Sequence, residues 1–240
     1  MQKGTLYLIP TTLGEEEDLY HTIPTYVKDI INTLDEYVVE NEKSARRFLK
    51  RIGLVKPLQE MILYPLNEHT PSEEISTYLK PLLAGKNMGL LSDVGCPAVA
   101  DPGASVAGLA HQKGIKVVPL VGPSSILLAL MASGFNGQNF TFHGYLPKER
   151  GERVKKIKEL EADAHKKKQT QLFIETPYRN QHLFDDILAN CENNTLMCIA
   201  TDITLPTEFI QSKSIAQWKK EPQTGAKISK RPSIFILHKW

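Results

Sequence analysis

The chain has 240 residues, 41% of them hydrophobic and 23% charged, with a formal net charge of +2. That length fits one large α/β domain or two small ones, and the composition excludes a fibrous or low-complexity protein. A charge so close to neutral gives no general nucleic-acid surface, so a basic partner face has to come from local clustering. The cysteines, Cys96, Cys191 and Cys198, are odd in number and lack a CxxC pair. They argue against a disulfide framework or a zinc knuckle and fit a reducing, cytoplasmic compartment. The first apolar run is too short for a signal h-region and none approaches a membrane span, so no membrane association is expected.

Residues 6–9 read as a first strand, followed by the loop Pro10-Thr-Thr-Leu-Gly14 and an acidic stretch from Glu15 to Asp18. Residues 23–34 have helical character, with Pro24 in the first turn where a missing N–H costs little. A short strand is predicted at 37–39 and a helix at 44–52. Thr70-Pro71-Ser72-Glu73 reads as a capping box, with Thr70 as N-cap of a helix reaching residue 83. Strand 89–92, a small-residue helix at 105–112 and strand 115–119 follow, an alternation that predicts parallel pairing with right-handed crossovers. Residues 124–133 form an apolar helix, 140–145 an alternating strand, 149–165 a long charged helix, 171–174 a strand and 180–190 a helix. Strands at 196–201, 207–211 and 233–238 crowd together, which predicts antiparallel pairing. The boundary is expected near 119–124, where Pro-Leu-Val-Gly-Pro offers a stiff hinge, giving domains 1–119 and 120–240. The fold class is α/β, with a mainly parallel amino-terminal sheet and a mixed carboxyl-terminal one.

The most informative stretch runs from Gly89 to Gly103. An apolar run ends in Ser92-Asp93, a loop with two prolines and two glycines follows, and helical sequence resumes near Ala104. A buried parallel strand delivers its carboxyl end and its free N–H groups to a ligand crevice in this way. Pro119-Leu-Val-Gly-Pro-Ser-Ser125 repeats the pattern, and two such turns suggest one small-molecule site.

Six blocks carry a family resemblance: Leu6-Tyr-Leu-Ile-Pro10 with Gly14 and Asp18; Leu91-Ser-Asp-Val-Gly-Cys-Pro97 with Asp101-Pro-Gly103; Val117-Val-Pro-Leu-Val-Gly-Pro-Ser124; Ala132-Ser-Gly134; Phe142-His-Gly-Tyr-Leu-Pro147; and Phe173-Ile-Glu-Thr-Pro-Tyr-Arg179. In this order they resemble the tetrapyrrole-methylase superfamily of S-adenosylmethionine-dependent methyltransferases, nearest to the group that 2′-O-methylates a cytidine ribose in 16S ribosomal RNA. The resemblance implies two α/β domains with a cofactor cleft between them, a homodimer, and ribosomal RNA of the small subunit as partner. Carried over residue by residue, it implies a cofactor shell of Pro10, Asp93, Val94, Gly95, Ser124, Ser125, Glu175, Thr176, Ala200 and Thr201. Three blocks depart from the pattern. The acidic A-E-D-T-R motif reads Val39-Glu-Asn-Glu-Lys43, the T-P-x-G-N-L opening reads Thr11-Thr-Leu-Gly-Glu-Glu16, and the basic R-E-L-T-K segment is replaced around Ala200-Thr-Asp-Ile-Thr204.

Asp93 suits hydrogen-bond donors of the cofactor, the N–H groups of Val94 and Gly95 suit its carboxylate, and Gly95 allows close backbone approach. Asp93 could equally cap the following helix. No second carboxylate stands near it in register, so no metal is expected. Either Ser124 or Ser125 caps the apolar helix, leaving the other for the cofactor. Pro177 forces Thr176 into an extended conformation that turns backbone groups outward; Arg179 pairs with a local carboxylate or faces the site. Lys43, Arg46, Arg47, Lys50 and Arg51 recur at helical spacing as one face, and a second basic run extends from Lys148 through Arg150 and Arg153 to Lys158. Of these, Lys43, Arg46, Arg47 and Arg150 are the candidate RNA contacts. A ribose hydroxyl profits from a general base: Glu40 and Lys148 are the catalytic candidates, with His143 as a third. Two other readings stay open, a methyltransferase acting on a tetrapyrrole-like small molecule and a non-catalytic cofactor-binding protein that binds RNA.

Overall fold

The computed structural model describes residues 2–16, 18–67 and 69–240. Two compact units emerge, residues 1–124 and 125–240.

In the first unit β1 (Thr5–Ile9) is followed by α1 (Leu19–Thr22), α2 (Thr25–Ile31), β2 (Glu36–Val39), α3 (Glu42–Arg51) and β3 (Ile62–Pro65). Then come α4 (Ser72–Tyr78), α5 (Lys80–Leu83), β4 (Met88–Leu91), α6 (Gly103–Gln112) and β5 (Lys116–Pro119). The sheet order is β3-β2-β4-β1-β5 and every pairing is parallel. Helices on both faces explain why β2 and β4 are buried throughout. The period-2 alternation of β2 sends Tyr37 and Val39 into a core with α2 and α3, and Val38 into a second core with α4 and α6.

This wiring positions a site. β1 and β4 are neighbours, yet the helices after β1 join one core and the helix after β4 joins the other. Where crossovers leave adjacent parallel strands toward opposite faces, a crevice opens at their carboxyl ends.

The second unit contains α7 (Ser125–Ser133), β6 (Phe140–Tyr145), α8 (Arg150–Lys166), β7 (Thr170–Ile174) and α9 (Asn180–Asn190). It continues through β8 (Leu196–Thr201), β9 (Phe209–Ser214), α10 (Ile215–Trp218), α11 (Thr224–Ile228) and β10 (Ser233–His238). Its sheet, β6-β7-β10-β8-β9, is mixed: β6 and β7 are parallel, the other pairings antiparallel. Phe173, Ile199 and Phe235 pack with α8, α9 and Trp218 on one face, where Trp218 Nε1 donates to the Met197 carbonyl at 2.9 Å. On the opposite face α7 is tied to β9 by Ser212 Oγ donating to the Ser133 carbonyl at 2.7 Å.

Several expectations need correction. The capping box at Thr70 does not form: α4 starts at Ser72 with Pro71 as N-cap, and Thr70 Oγ1 accepts instead from the Asn67 N–H at 3.0 Å. The box that does form joins Ser214 and Gln217 at the start of α10. The helix expected at 23–34 is shorter, Thr25–Ile31, because Pro24 is extended and serves as its N-cap, and the short α1 before it was not anticipated. β3 was not anticipated, since its edge position leaves Ile62 and Pro65 exposed and erases the burial signature. No helix among the described residues is long and apolar enough to cross a membrane.

Candidate functional site

The carboxyl ends of β4, β1 and β5 carry the loops singled out from the sequence. The Thr11 N–H donates to the Gly95 carbonyl at 3.0 Å, tying the β1 loop to the β4 loop. Cys96 Sγ lies 3.3 Å from the Pro123 carbonyl, so the β4 loop touches the β5 loop as well. Gly95 is left-handed (φ +73), and a Cβ there would press on Leu13 at 3.2 Å and the Pro123 carbonyl at 3.3 Å. Gly122 passes so close to Pro10 that a Cβ would fall 2.2 Å from its ring.

Asp93 does not cap α6. Its Oδ1 accepts from Ser44 Oγ on α3, and Asp101 does the capping, its Oδ1 accepting the N–H groups of Ala98 at 2.8 Å and Gly103 at 2.7 Å. Those two bonds hold a tight loop in which Ala98 and Ala100 are both left-handed (φ 65 and 59). Strain of this kind persists only where neighbours over-determine it.

A carboxylate does stand beside Asp93: the Asp93 N–H donates to Glu40 Oε2 at 3.3 Å. The Glu40 carboxyl is pushed above its ordinary value, first by desolvation and further by the charges of Asp93 and Asp101, while the Asp93 N–H opposes the shift. Among the described residues no group of three or more His, Cys, Asp or Glu side chains is arranged to hold a metal ion.

A pocket of about 210 Å³ adjoins Asp93 and Val94, bounded by the β1 loop and by α3. The basic residues of α3 divide into two rows rather than one face. Lys43, Arg47 and Arg51 follow each other at i, i+4, whereas Arg46 lies off that row, its Nη1 donating to the Leu58 carbonyl at 2.7 Å. Thr11, also on this pocket, opens the block that departs from the T-P-x-G-N-L pattern but was not among the site residues expected from the sequence.

In the second unit Glu175, 4% exposed, follows β7. Its Oε1 accepts from the Thr176 N–H at 2.6 Å and from Arg179 Nε at 2.9 Å, which settles Arg179 as a local partner. Glu175 Oε2 is buried without a hydrogen-bond partner among the described residues. Thr176 is extended, as Pro177 requires. Ala200 and Thr201 lie fully buried in β8, and the Thr201 hydroxyl bonds Ser233 Oγ at 2.8 Å. Ser124 closes the first unit and Ser125 opens α7.

The second basic run is less uniform than its sequence. Arg153 is buried, its Nε and Nη2 donating to Asp186 Oδ2 at 2.9 and 2.7 Å, and Arg150 Nε donates to the other oxygen of the same carboxylate at 2.9 Å. Lys148 is exposed. His143 Nε2 sits 2.7 Å from Gln171 Oε1 within the sheet, a structural role.

No protein-family model matches the chain. The protein named ribosomal RNA small subunit methyltransferase I in Streptococcus pyogenes is 30% identical over 214 residues, 89% of this chain and 70% of that relative. The protein of the same name in Halalkalibacterium halodurans is 30% identical over 222 residues, 91% of this chain and 72% of the relative. Among solved structures, diphthine synthase superposes with a TM-score of 0.66 at 16% identity, covering 98% of this chain and 90% of that one. The methyltransferase CobJ superposes with a TM-score of 0.62 at 15% identity, covering 98% and 94%. Those two likenesses speak for the fold, which is the tetrapyrrole-methylase fold expected from the motif blocks. With 30% identity across 70% of a relative, and the strand-end loops assembled as the motifs require, the chain belongs to the ribosomal RNA small subunit methyltransferase I family and is a methyltransferase.

Proposed function

We propose that this methyltransferase uses S-adenosylmethionine to methylate the 2′-hydroxyl of a cytidine ribose in 16S ribosomal RNA, acting as a homodimer in the cytoplasm. The observation that carries the reading is the pairing of Glu40 with the Asp93 backbone at the β4 carboxyl end, beside the close-packed Gly95 and Gly122 loops. The residues present suit the methyl donor. Gly95 lets the β4 loop close against Leu13 and the Pro123 carbonyl, and Glu175 Oε2 is a buried acceptor without a partner among the described residues. Bound there, S-adenosylmethionine supplies a sulfonium methyl open to in-line displacement.

The chain's own tasks are then binding, orientation and proton acceptance. Asp93 accepts from the donor's hydroxyl or amine groups, and the N–H groups of Val94 and Gly95 donate to its carboxylate. The proposed shell also takes Pro10 and Ser124 from the first unit, and Ser125, Glu175, Thr176, Ala200 and Thr201 from the second. Glu40 is the preferred base over Lys148: desolvation raises its carboxyl above the ordinary value and makes it a stronger proton acceptor. Lys43, Arg46, Arg47 and Arg150 contact RNA phosphates.

Incubation with methyl-labelled S-adenosylmethionine and small ribosomal subunits tests the reading. Label in 16S RNA at a ribose that resists alkaline cleavage is the expected result. Label in base positions, or none in RNA, rejects the acceptor.

A further inference from the structure

The pocket of about 210 Å³ in the first unit is lined by Thr11, Thr12, Arg47, Phe48, Arg51 and Asp93, among others. Three observations mark it as built for a ligand. Thr11 is 4% exposed, and its Oγ1 has no hydrogen-bond partner among the described residues. A buried hydroxyl in that state is unfavourable unless something entering the pocket bonds it. Arg47 and Arg51 stand one turn apart on the same row of α3, and Arg51 is oriented by its Nη1 bond to Thr12 Oγ1 at 3.3 Å. Two forked guanidiniums side by side match a phosphate. Finally, Asp93 offers a carboxylate on the same wall, able to accept from a sugar hydroxyl. The volume lies below the roughly 300–1,000 Å³ of drug-sized sites. It suits a single ribose-phosphate unit and excludes a stack of bases.

Resting on the RNA-methyltransferase reading above, we infer that this pocket seats one ribose-phosphate unit of the substrate strand, with the phosphate on Arg47 and Arg51 and a ribose hydroxyl against Thr11 and Asp93. Glu15 is the built-in competitor. It pairs with Arg47 and lines the same pocket, so the phosphate has to displace it. Arg46, bonded to the Leu58 carbonyl and to Glu42, takes no part in this seat.

The test measures binding of a short fluorescent single-stranded RNA by anisotropy across a salt series, with cytidine 5′-monophosphate and cytidine as competitors. Glu15→Gln removes the competing charge from an exposed side chain and tightens RNA binding about two- to fivefold. Arg51→Ala and Arg47→Ala weaken it by about ten- to hundredfold. Removing both arginines flattens the slope of log affinity against log salt by about 0.7, the share of one phosphate on a single strand, and each single variant by part of that. Cytidine 5′-monophosphate competes and cytidine does not. If the wild type binds RNA and methylates small subunits while Glu15→Gln and Arg51→Ala leave affinity and slope unchanged, the pocket is not the seat and the functional reading survives. If the wild type neither binds RNA nor transfers a methyl group to it, the functional reading falls and the pocket assignment falls with it. The exposed Glu15 variant keeps the test decisive even where an arginine variant folds poorly.

Discussion

Asp101 does two jobs that substitutions can separate. Its carboxylate holds the β4–α6 loop by accepting two backbone N–H groups, at 2.8 and 2.7 Å, and its charge helps raise the Glu40 carboxyl. Asp101→Ala removes both effects. Each lost bond costs about 1 kcal/mol net, so the variant loses about 2 kcal/mol, and the left-handed Ala98 and Ala100 lose their restraint. For a chain of this size that loss lowers Tm by roughly 4–8 °C. Asp101→Asn keeps an oxygen for both N–H groups and removes only the charge. It should hold Tm within a degree or two of wild type and, if Glu40 is the base, move the acid limb of the kcat pH profile to lower pH. The sign follows from the electrostatics: less negative charge near Glu40 makes its ionisation easier, so the base form persists to lower pH. Thermal melts and methyl-transfer rates from pH 4 to 8 supply both measurements. An Ala variant as stable as wild type would refute the loop argument, and an Asn variant with an unmoved acid limb would refute Glu40 as the titrating base.

Glu40→Gln keeps an acceptor for the Asp93 N–H and should abolish most methyl transfer while raising Tm at neutral pH. A raised folded-state value means the native chain loses stability as pH rises from 4.5 through that value. The Tm advantage of the Gln variant should therefore vanish at acid pH, where wild-type Glu40 is protonated in both states; an advantage constant with pH counts against this. Arg153→Ala leaves Asp186, 3% exposed, without its main partner and should cost about 3–5 kcal/mol, read as a drop in the urea midpoint. A loss below 1 kcal/mol would show that Arg150 alone satisfies Asp186. Burial pushes the Cys191 thiol up to about 12 and the Cys198 thiol up to about 11. Neither should react with iodoacetamide at pH 8 until the protein unfolds; rapid native labelling would contradict the packing.

What the sequence made legible follows from where burial is one-sided or complete. β4 announces itself because a parallel strand sealed on both faces reads as a continuous apolar run. β3 and the true limits of β9 were lost because edge strands mix exposed and half-buried residues, and a register such as Phe209–Ser214, with its polar Gln-Ser-Lys-Ser end, carries little hydrophobic signal. The false capping box at Thr70 and the true one at Ser214 have similar local chemistry. What decides between them is whether the chain before the helix turns back on itself, as it does where Thr70 accepts the Asn67 N–H.

The same limit governs the site. Asp93 and Gly95 could be proposed because the loop after a buried strand of a doubly wound sheet is where a ligand is expected. The partners of Asp93 could not be named, because Ser44 and Glu40 reach it from other segments and share no spacing rule with it. A run of lysines and arginines shows that positive charge is present on a helix but not what that charge faces. In α8 the same pattern contains Arg153, sealed against Asp186, and Lys148 nearby stands in solvent. In α3 it contains Arg46, bonded to a carbonyl, and Arg47, aimed at a pocket. Counting basic residues therefore overstates the surface available to RNA. The rows on which they stand, one turn apart on a helix, decide which of them can share a phosphate.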